Sequence, residues 1–522
     1  TFQNHLSAKR RCQLRTLYAD HLLERLQFEQ HGRLHQRLLR VLQQAIIDGV
    51  FPPETRLPAT RDLAKELGIS RNTVLNAYDS LLAEGYVTSR TGSGTRVAKT
   101  LPEFCLNSES QQTTEIPEQQ LPPILSARGA ALLGHATASP FQWGAFVPGA
   151  PDVTAFPHKT LSKIQARLSQ QPEINQLIYS NDGGCAYLRQ ALADYLRVAR
   201  SIRAEADQII ITEGIHQAVD LVSRVLCDQN DTVWIEEPGY WGTRNLLRIN
   251  SLDVHAVPVD EEGMLPEITA RRPAPKMVFV TPSHQYPLGV HLSLSRRKQL
   301  LDMARRHRFW IVEDDYDSEF RFSGSPWPSL QGLEEDAPVI YMGTFSKTLY
   351  PALRIGYLVV PKNLKTELRT AAAELYRGGH LIIQRAISEF ISQGHYAAHI
   401  RRMRLLYNQR RKFLLSLIQR YLGEAFMPRY NHDAGLHLVM TLPDKSDDVA
   451  IAREALRKGV SVRPLSQYYM QRQKKRGLLL GYACVNEQQI FTAFHLLRQC
   501  LINAGLCRQR PALSNEEQSG PA

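Results

Sequence analysis

From about residue 140 to 507 the chain alternates short apolar runs with longer amphipathic stretches. The runs include QIIIT (208–212), DTVWIE (231–236), KMVFVTP (276–282), FWIVEDD (309–315) and PVIYMGTFS (338–346). A strand apolar at nearly every position is buried on both faces, which requires a sheet covered by helices on both sides. The pattern therefore predicts an α/β domain around a parallel or mixed sheet. At 522 residues the chain is too long for one ordinary domain and predicts two or three. Hydrophobic residues make up 43% and mean hydropathy is −0.30, which fits a soluble protein with large cores. No run approaches the roughly 18 apolar residues that span a bilayer.

The N-terminus is basic without an apolar segment behind it, so a secretory leader is not expected. Seven cysteines (Cys12, Cys105, Cys185, Cys227, Cys484, Cys500 and Cys507) are scattered and form no C-x-x-C pair. This predicts a reducing, cytoplasmic setting, no disulfide framework and no metal site. The net charge of +12 and pI near 9.3 favour a polyanionic partner.

Composition divides the chain. Residues 1–32 are polar and basic, with some helical spacing at Leu22, Leu23 and Leu26. Residues 33–100 form a compact, well-punctuated module. The stretch SESQQTTEIPEQQLPP (108–123) lies within a linker placed at 101–139, because it has too little apolar surface to order itself. Residues 140–507 carry the α/β pattern, and 508–522 read as a disordered tail. The predicted class is thus a multidomain α+β and α/β chain.

In the first module, LHQRLLRVLQQAIIDG (34–49) has helical spacing and stops at Gly49. Thr60 is expected to cap a short helix with Leu63, Ala64 and Leu67 on one face. After a turn at Gly68, Ser70 caps a second helix with Val74, Ala77, Leu81 and Leu82 inward. This arrangement exposes Arg71, Asn72, Thr73 and Asn76 near the second helix's start. Two short helices around a Gly-containing turn predict a helix-turn-helix, which presents such residues to base edges and phosphates. VTSRTGSGTRV (87–97) predicts a hairpin with Arg90 and Arg96 flanking its glycine tip, suited to a phosphate backbone or minor groove. The bland alternative is a helical interaction domain with solvated arginines; the basic hairpin argues for DNA. Leu57-Pro58 through SRNTV, AY, EGY and GSGT resembles the winged helix-turn-helix of the GntR family over about 65 residues. The resemblance implies DNA contacts from Arg61, Ser70, Arg71 and Thr73, and from the wing around Gly92 and Gly94.

The second module carries GTFSKTLYPALRIGY (343–357), in which Lys347 follows a hydroxyl residue and Arg354 trails it. A lysine that attacks a carbonyl must be partly deprotonated, which burial promotes. Upstream, FWIVEDDYDSEF ends a buried strand in carboxylates suited to pair with a pyridine nitrogen, and Tyr316 follows for a ring hydroxyl. In IIITEGIHQAVDL (209–221) the helix start at Gly214, Ile215 and His216 offers free N–H groups to a phosphate. EEPGYWG (236–242) puts Tyr240 at a strand end, where it can stack on a ring, and Arg354 offers a forked second phosphate anchor. Each piece alone is unremarkable: acidic strand ends cap loops, and Tyr240 fits a core. Their order at successive strand ends points to one ligand site.

That order resembles the fold-type I pyridoxal-phosphate aminotransferases over about 140–505. The resemblance implies Lys347 as the Schiff-base lysine and Asp314 at the pyridine nitrogen. It further implies Tyr316 at the ring hydroxyl, Tyr240 stacked, and Gly214, Ile215, His216, Thr344 and Arg354 on the phosphate. Joined to a GntR-like head, the chain resembles the MocR subfamily of transcription regulators. A homodimer built through the large domain, with heads reaching across to the partner, is implied as well.

Two departures favour a regulator over an enzyme. TPSHQYPLG (281–289) has Tyr286 where aminotransferases usually show Asn, with His284 expected to line the pocket. GLLLGYA (477–483) has Leu479 where a carboxylate-clamping Arg belongs, and leucine cannot replace a bidentate clamp. Either the effector then lacks the usual α-carboxylate, or Arg463 or Arg244 takes over the clamp's task. The expected function is regulation of transcription on double-stranded operator DNA, with pyridoxal phosphate itself or an amine sensed at Lys347. The alternative is a working aminotransferase carrying a DNA-binding domain.

Overall fold

The computed structural model describes residues 19–29, 32–90, 94–99, 125–134, 141–324, 327–430, 433–471 and 474–508. Gly92, the side chain of Arg90, residues 1–18, most of the expected linker and the tail from 509 lie outside the described residues. The chain divides into two compact units, Thr1–Pro123 and Ile124–Ala522.

In the first unit a helix over 19–28 (α1) precedes α2 (Leu34–Ile47), α3 (Thr60–Leu67) and α4 (Arg71–Ala83). A hairpin follows, β1 (Val87–Arg90) against β2 (Gly94–Val97), in register Val87↔Val97 to Arg90↔Gly94. Gly68 adopts φ +66 and ends α3, and the Ser70 hydroxyl accepts from the Thr73 amide at 3.1 Å to start α4. Three local expectations are corrected. Thr60 is the first residue of α3 rather than its cap, the Ala59 cap position making no side-chain bond. Leu82 is exposed; the inward place belongs to Tyr78, whose hydroxyl donates to the Pro58 carbonyl at 2.9 Å. The extension also contributes structure, because α1 buries Ala19, Leu22 and Leu26 in the core of this unit. Arg37 donates to the Leu26 carbonyl at 2.6 Å, and ion pairs Arg25–Asp48 and Arg40–Glu29 fasten α1 further.

The second unit contains an eight-stranded mixed sheet, order β3-β10-β9-β8-β7-β4-β5-β6. These are β3 (Ile209–Thr212), β4 (Thr232–Glu237), β5 (Asp253–Asp260), β6 (Gly263–Met264), β7 (Met277–Val280), β8 (Trp310–Asp315), β9 (Val339–Thr344) and β10 (Gly356–Val359). Strands β5, β4, β7, β8 and β9 pair in parallel. Alternate residues feed two cores on opposite faces. Val233, Ile235, Met277, Phe279 and Val312 join one; Trp234, Val278, Val280, Ile311 and Val339 join the other. Burial of each such side chain contributes about 1.5–3 kcal/mol, which is why the runs are almost uninterrupted. β10 runs antiparallel to both β3 and β9, so β3 is aligned with the parallel set. The C-terminal ends of β3, β4, β7, β8 and β9 therefore open on one edge, where such sheets bind ligands.

A three-stranded antiparallel sheet follows, β11 (His437–Thr441), β12 (Arg463–Pro464) and β13 (Gly477–Gly481), ordered β11-β13-β12. The expected linker is helical over Ala127–Gly134, where Ala and Leu dominate and Arg128 reaches the Ile249 carbonyl.

Candidate functional site: a lysine cavity at the strand ends

A cavity of about 320 Å³ opens at the C-terminal edge of the large sheet. Its wall brings together Ile215, His216, Tyr240, Asp314, Tyr316, Thr344, Lys347 and Arg354, all expected from the sequence. Strand direction does this: β4, β8 and β9 each end at the same edge, and the turn after each supplies one or more side chains.

Lys347 sits in the turn after β9. Burial lowers its pKa, opposed by the nearby Asp317 and Asp314 carboxylates. A Cβ on Gly149 would come within 3.3 Å of the Lys347 amine, and Gly149 has φ +67, so the backbone crosses closely over it. Asp314 ends β8. Its Oδ1 is buried and has no hydrogen-bond partner, and burial raises its pKa to about 7. An orphaned buried acceptor costs free energy until a donor meets it.

Another part of the wall suits an anion. Gly214, at φ +85, starts the helix Ile215–Leu226, whose first amides are unpaired within the helix. The Arg354 guanidinium lies over that turn: it donates to the Glu213 carbonyl at 2.8 Å, and a Cβ on Gly214 would stand 3.0 Å from its Nη2. Arg354 itself adopts φ +53. Gly356 pairs with both Thr212 and Thr344, and a Cβ there would press on Gly214 at 3.0 Å. His216 Nε2 is 3.3 Å from the Tyr240 hydroxyl, and the Thr344 hydroxyl accepts from the Ser346 amide at 3.1 Å.

Two expected residues lie elsewhere. His284 is off the cavity wall, behind Tyr316, with its Nδ1 3.0 Å from the Tyr316 hydroxyl. Arg244 is buried on the helix Trp241–Ile249 near Glu237, one helical turn beyond Tyr240 and away from the cavity. Arg463 is on the wall, and its Cα partner across the sheet is Leu479. Directly paired residues project from the same face, so Arg463 stands one strand over from the missing clamp. The sequence reading missed Trp241, Ser346 and Tyr468 on the wall and gave no ligand role to Tyr286, whose hydroxyl is 3.1 Å from that of Tyr468. Ser346 is signalled by its place beside Lys347; Tyr468 arrives from a distant segment with no local mark. In SHQ, Gln285 is a fastener: its amide donates to Glu236 Oε2 at 3.3 Å and the Pro238 carbonyl at 2.8 Å.

In the first unit Arg61, Arg71, Asn72 and Asn76 are exposed and Thr73 is half-buried. Arg96 is exposed but donates to the Glu54 carbonyl at 2.9 Å. Gly94, at φ +78, faces Arg56: a Cβ there would stand 2.8 Å from its guanidinium.

Residues 34–97 match the family of bacterial regulatory proteins, gntR family, and residues 155–494 match aminotransferase class I and II. The chain is 38% identical to a probable rhizopine catabolism regulatory protein MocR of Rhizobium meliloti, over 90% of this chain and 94% of that one. It belongs to the MocR subfamily of GntR-type regulators. Another relative of this MocR-type chain is the pyridoxine biosynthesis transcriptional regulator PdxR of Corynebacterium glutamicum, 30% identical over 87% of this chain and 93% of that one. Among solved structures, LysN, an α-aminoadipate aminotransferase of Thermus thermophilus complexed with N-(5'-phosphopyridoxyl)-L-leucine, is similar. It has TM-score 0.64 and 28% identity, covering 73% of this chain and 99% of that one. The MocR-type chain is accordingly a DNA-binding transcription regulator whose second unit has the fold-type I aminotransferase fold.

Proposed function

We propose that this regulator holds pyridoxal 5'-phosphate in the Lys347 cavity and changes its grip on operator DNA when that site is filled or meets an amine. The observation that carries the reading is one cavity lined by a buried lysine, by Asp314 with an orphaned oxygen, and by Arg354, which with Gly214 forms an anion cradle. The residues fit the group: a ring N–H satisfies Asp314, and the cradle takes the phosphate.

When bound, the cofactor supplies an electrophilic carbon at which one amine exchanges for another. Lys347 presents an amine whose charge burial disfavours, leaving more of it unprotonated at neutral pH. Asp314 would hold a proton between itself and the ring nitrogen, Tyr316 would take the ring hydroxyl, and Tyr240 would cover the ring. Ile215 and His216 amides, Thr344 and Arg354 would bind the phosphate. Arg463 offers a cation to an anionic group on an effector, from the place beside Leu479. Any such ligand acts by binding one arrangement of the regulator better than another.

On the DNA side, Arg61, Ser70, Arg71, Asn72, Thr73 and Asn76 at the start of the helix-turn-helix, with Arg90, Gly92, Gly94 and Arg96 of the wing, meet the duplex. A homodimer is the proposed working form. Ile174, Leu177, Ile178 and Tyr179 are 60–79% exposed in one short stretch, an apolar patch that a second copy would cover. The proposed place of action is the bacterial cytoplasm, at the nucleoid. Catalytic transamination is the second reading, favoured by the assembled Lys347, Asp314 and Tyr316.

The test is an absorbance scan with added pyridoxal phosphate, with sedimentation to count subunits. The expected result is a visible band that borohydride fixes on Lys347, lost in Lys347→Ala while operator binding without effector persists. A Lys347→Ala spectrum identical to wild type would sink the assignment, and rapid turnover of amino donors with 2-oxoglutarate would favour the second reading.

A further inference from the structure

The wing has a third strand that the hairpin alone does not include. Residues 54–57 run antiparallel along β2. The Glu54 amide donates to the Val97 carbonyl at 3.0 Å, the Val97 amide to the Thr55 carbonyl at 2.9 Å, and the Leu57 amide to the Thr95 carbonyl at 2.9 Å. Arg56 thereby falls directly opposite Arg96, which is paired in turn with Thr88 of β1. Side chains paired in this way project from one face of a sheet, and their strand neighbours from the other. The neighbours Leu57, Val87 and Val97 are buried in the core of the first unit, so Arg56, Thr88 and Arg96 stand outward and are exposed.

Two arginines directly across a sheet repel each other, which destabilises the free protein. Among the described residues neither guanidinium has a carboxylate partner. Arg96 donates to the Glu54 carbonyl at 2.9 Å, Arg56 makes no hydrogen bond, and the exposed Glu54 side chain pairs with neither. Arg56 lies instead against the backbone at Gly94, its Nε and Nη2 2.8 and 3.0 Å from where a Cβ would stand. Glycine leaves room for the fork there. The segment that carries Arg56 also joins the wing to α4, the second helix of the helix-turn-helix. Leu57 is hooked to the wing strand, and the Pro58 carbonyl accepts from the Tyr78 hydroxyl of α4 at 2.9 Å.

We propose that Arg56 is a further DNA-contacting residue, which clamps one backbone phosphate of the duplex where the wing meets the helix-turn-helix. The proposal deepens the DNA reading above and rests on the wing's meeting the duplex. A phosphate taken up by Arg56 and Arg96 replaces their repulsion with charge-assisted bonds, and the guanidinium fork matches two of its oxygens. Such a contact carries no sequence information but fixes register. Placed at this junction, one anchor holds α4 and the wing to the same duplex. In the sequence Arg56 precedes Leu57-Pro58, outside the helices and the hairpin, and only the pairing with β2 brings it to the wing face.

The experiment measures DNA binding of the full-length protein by fluorescence anisotropy over a series of salt concentrations. Arg56→Gln, which keeps most of the stem and removes the charge, should weaken binding about threefold to tenfold at low salt. The slope of log affinity against log salt should become shallower by about 0.9 for each protomer bound, on operator and on an unrelated duplex alike. Arg56→Lys keeps the charge without the fork, so it should hold the wild-type slope with intermediate affinity. Without DNA, Arg56→Gln should unfold no more easily than wild type, because it removes the repulsion with Arg96. Wild-type affinity and slope in Arg56→Gln, while Arg96→Gln weakens binding, would overturn the proposal and leave the wing reading standing. Wild-type behaviour in both variants would overturn the wing reading with it. A loss confined to one operator sequence would replace the phosphate with a base contact. A loss matched in Arg56→Lys and accompanied by easier unfolding would assign Arg56 to the fold alone.

Discussion

Asp314 has a buried oxygen with nothing to bond, and its neighbours Asp315 and Asp317 add their repulsion to the cost of burial. A ligand whose ring bears an N–H relieves both. Charge-assisted bonds of this kind are worth about 1.5–3 kcal/mol, so Asp314→Asn should weaken retention of pyridoxal phosphate by about tenfold to a hundredfold. Equilibrium dialysis measures it, and retention equal to wild type would remove Asp314 from the site. Asp314, Tyr316, Tyr240, Lys347 and Arg354 were legible in the sequence because each sits at the C-terminal end of a strand or in the connection that follows it. Gly149, Tyr468 and the His437 behind the wall were not, since long-range packing brings them in. His284 is expected on the wall only through the resemblance of SHQYP to the MocR-type loop; the loop instead turns Tyr286 toward the cavity and His284 behind Tyr316. Arg244 failed for a helical reason: a residue four positions after Tyr240 rises one turn up the helix, beyond reach of the cavity.

At the scale of elements, the apolar runs placed β3, β4, β7, β8 and β9 within a residue or two, because burial on both faces tolerates little else, whereas β5, only partly buried along its length, carried no such run. The errors fell at helix ends and on half-exposed faces. Leu82 looked inward by type alone, whereas Tyr78 wins the place by burying its ring and satisfying its hydroxyl at Pro58. The helix α1 was the larger surprise. It lies outside the 34–97 stretch that matches the family, yet Leu22 is fully buried against α2. Removing a leucine side chain from such a place costs about 2–5 kcal/mol. Leu22→Ala should therefore unfold the DNA-binding unit at lower denaturant and weaken operator binding, while leaving the Lys347 absorbance unchanged. An unaltered denaturation profile would show α1 to be an appendage.

For the whole molecule, buried ionisable groups set a pH dependence whose sign can be worked out. Burial raises Glu236, Glu313 and Asp314 to about 7 and Asp317 to about 8. The native chain thus holds protons that the unfolded chain releases near pH 4, and stability from this source falls as pH rises. Burial lowers His284, His399 and His437 to about 4, which makes stability rise with pH until the unfolded histidines deprotonate near 6.5. Below about pH 6.5 the two contributions oppose each other; above it the four raised acids outweigh the one buried amine, Lys347, whose lowered pKa acts in the opposite sense. The cofactor-free protein should melt at progressively lower temperature from about pH 6.5 to about pH 8, recorded by calorimetry at fixed ionic strength. A melting temperature that climbs through that window would mean the acids are ionised in the fold.

The pairing of Arg463 with Leu479 acts as a ruler. On the proposed reading the guanidinium has moved from one strand to its cross-strand neighbour, a displacement of about 5 Å along the same sheet face. The distance from the Lys347 carbon-attack point to the anion clamp is a spacing that a ligand must match with its own backbone. Shifting the clamp by a strand changes which chain length between amine and acid fits best. A sheet register can thus retune a ligand's preferred length without altering a single residue around the cofactor.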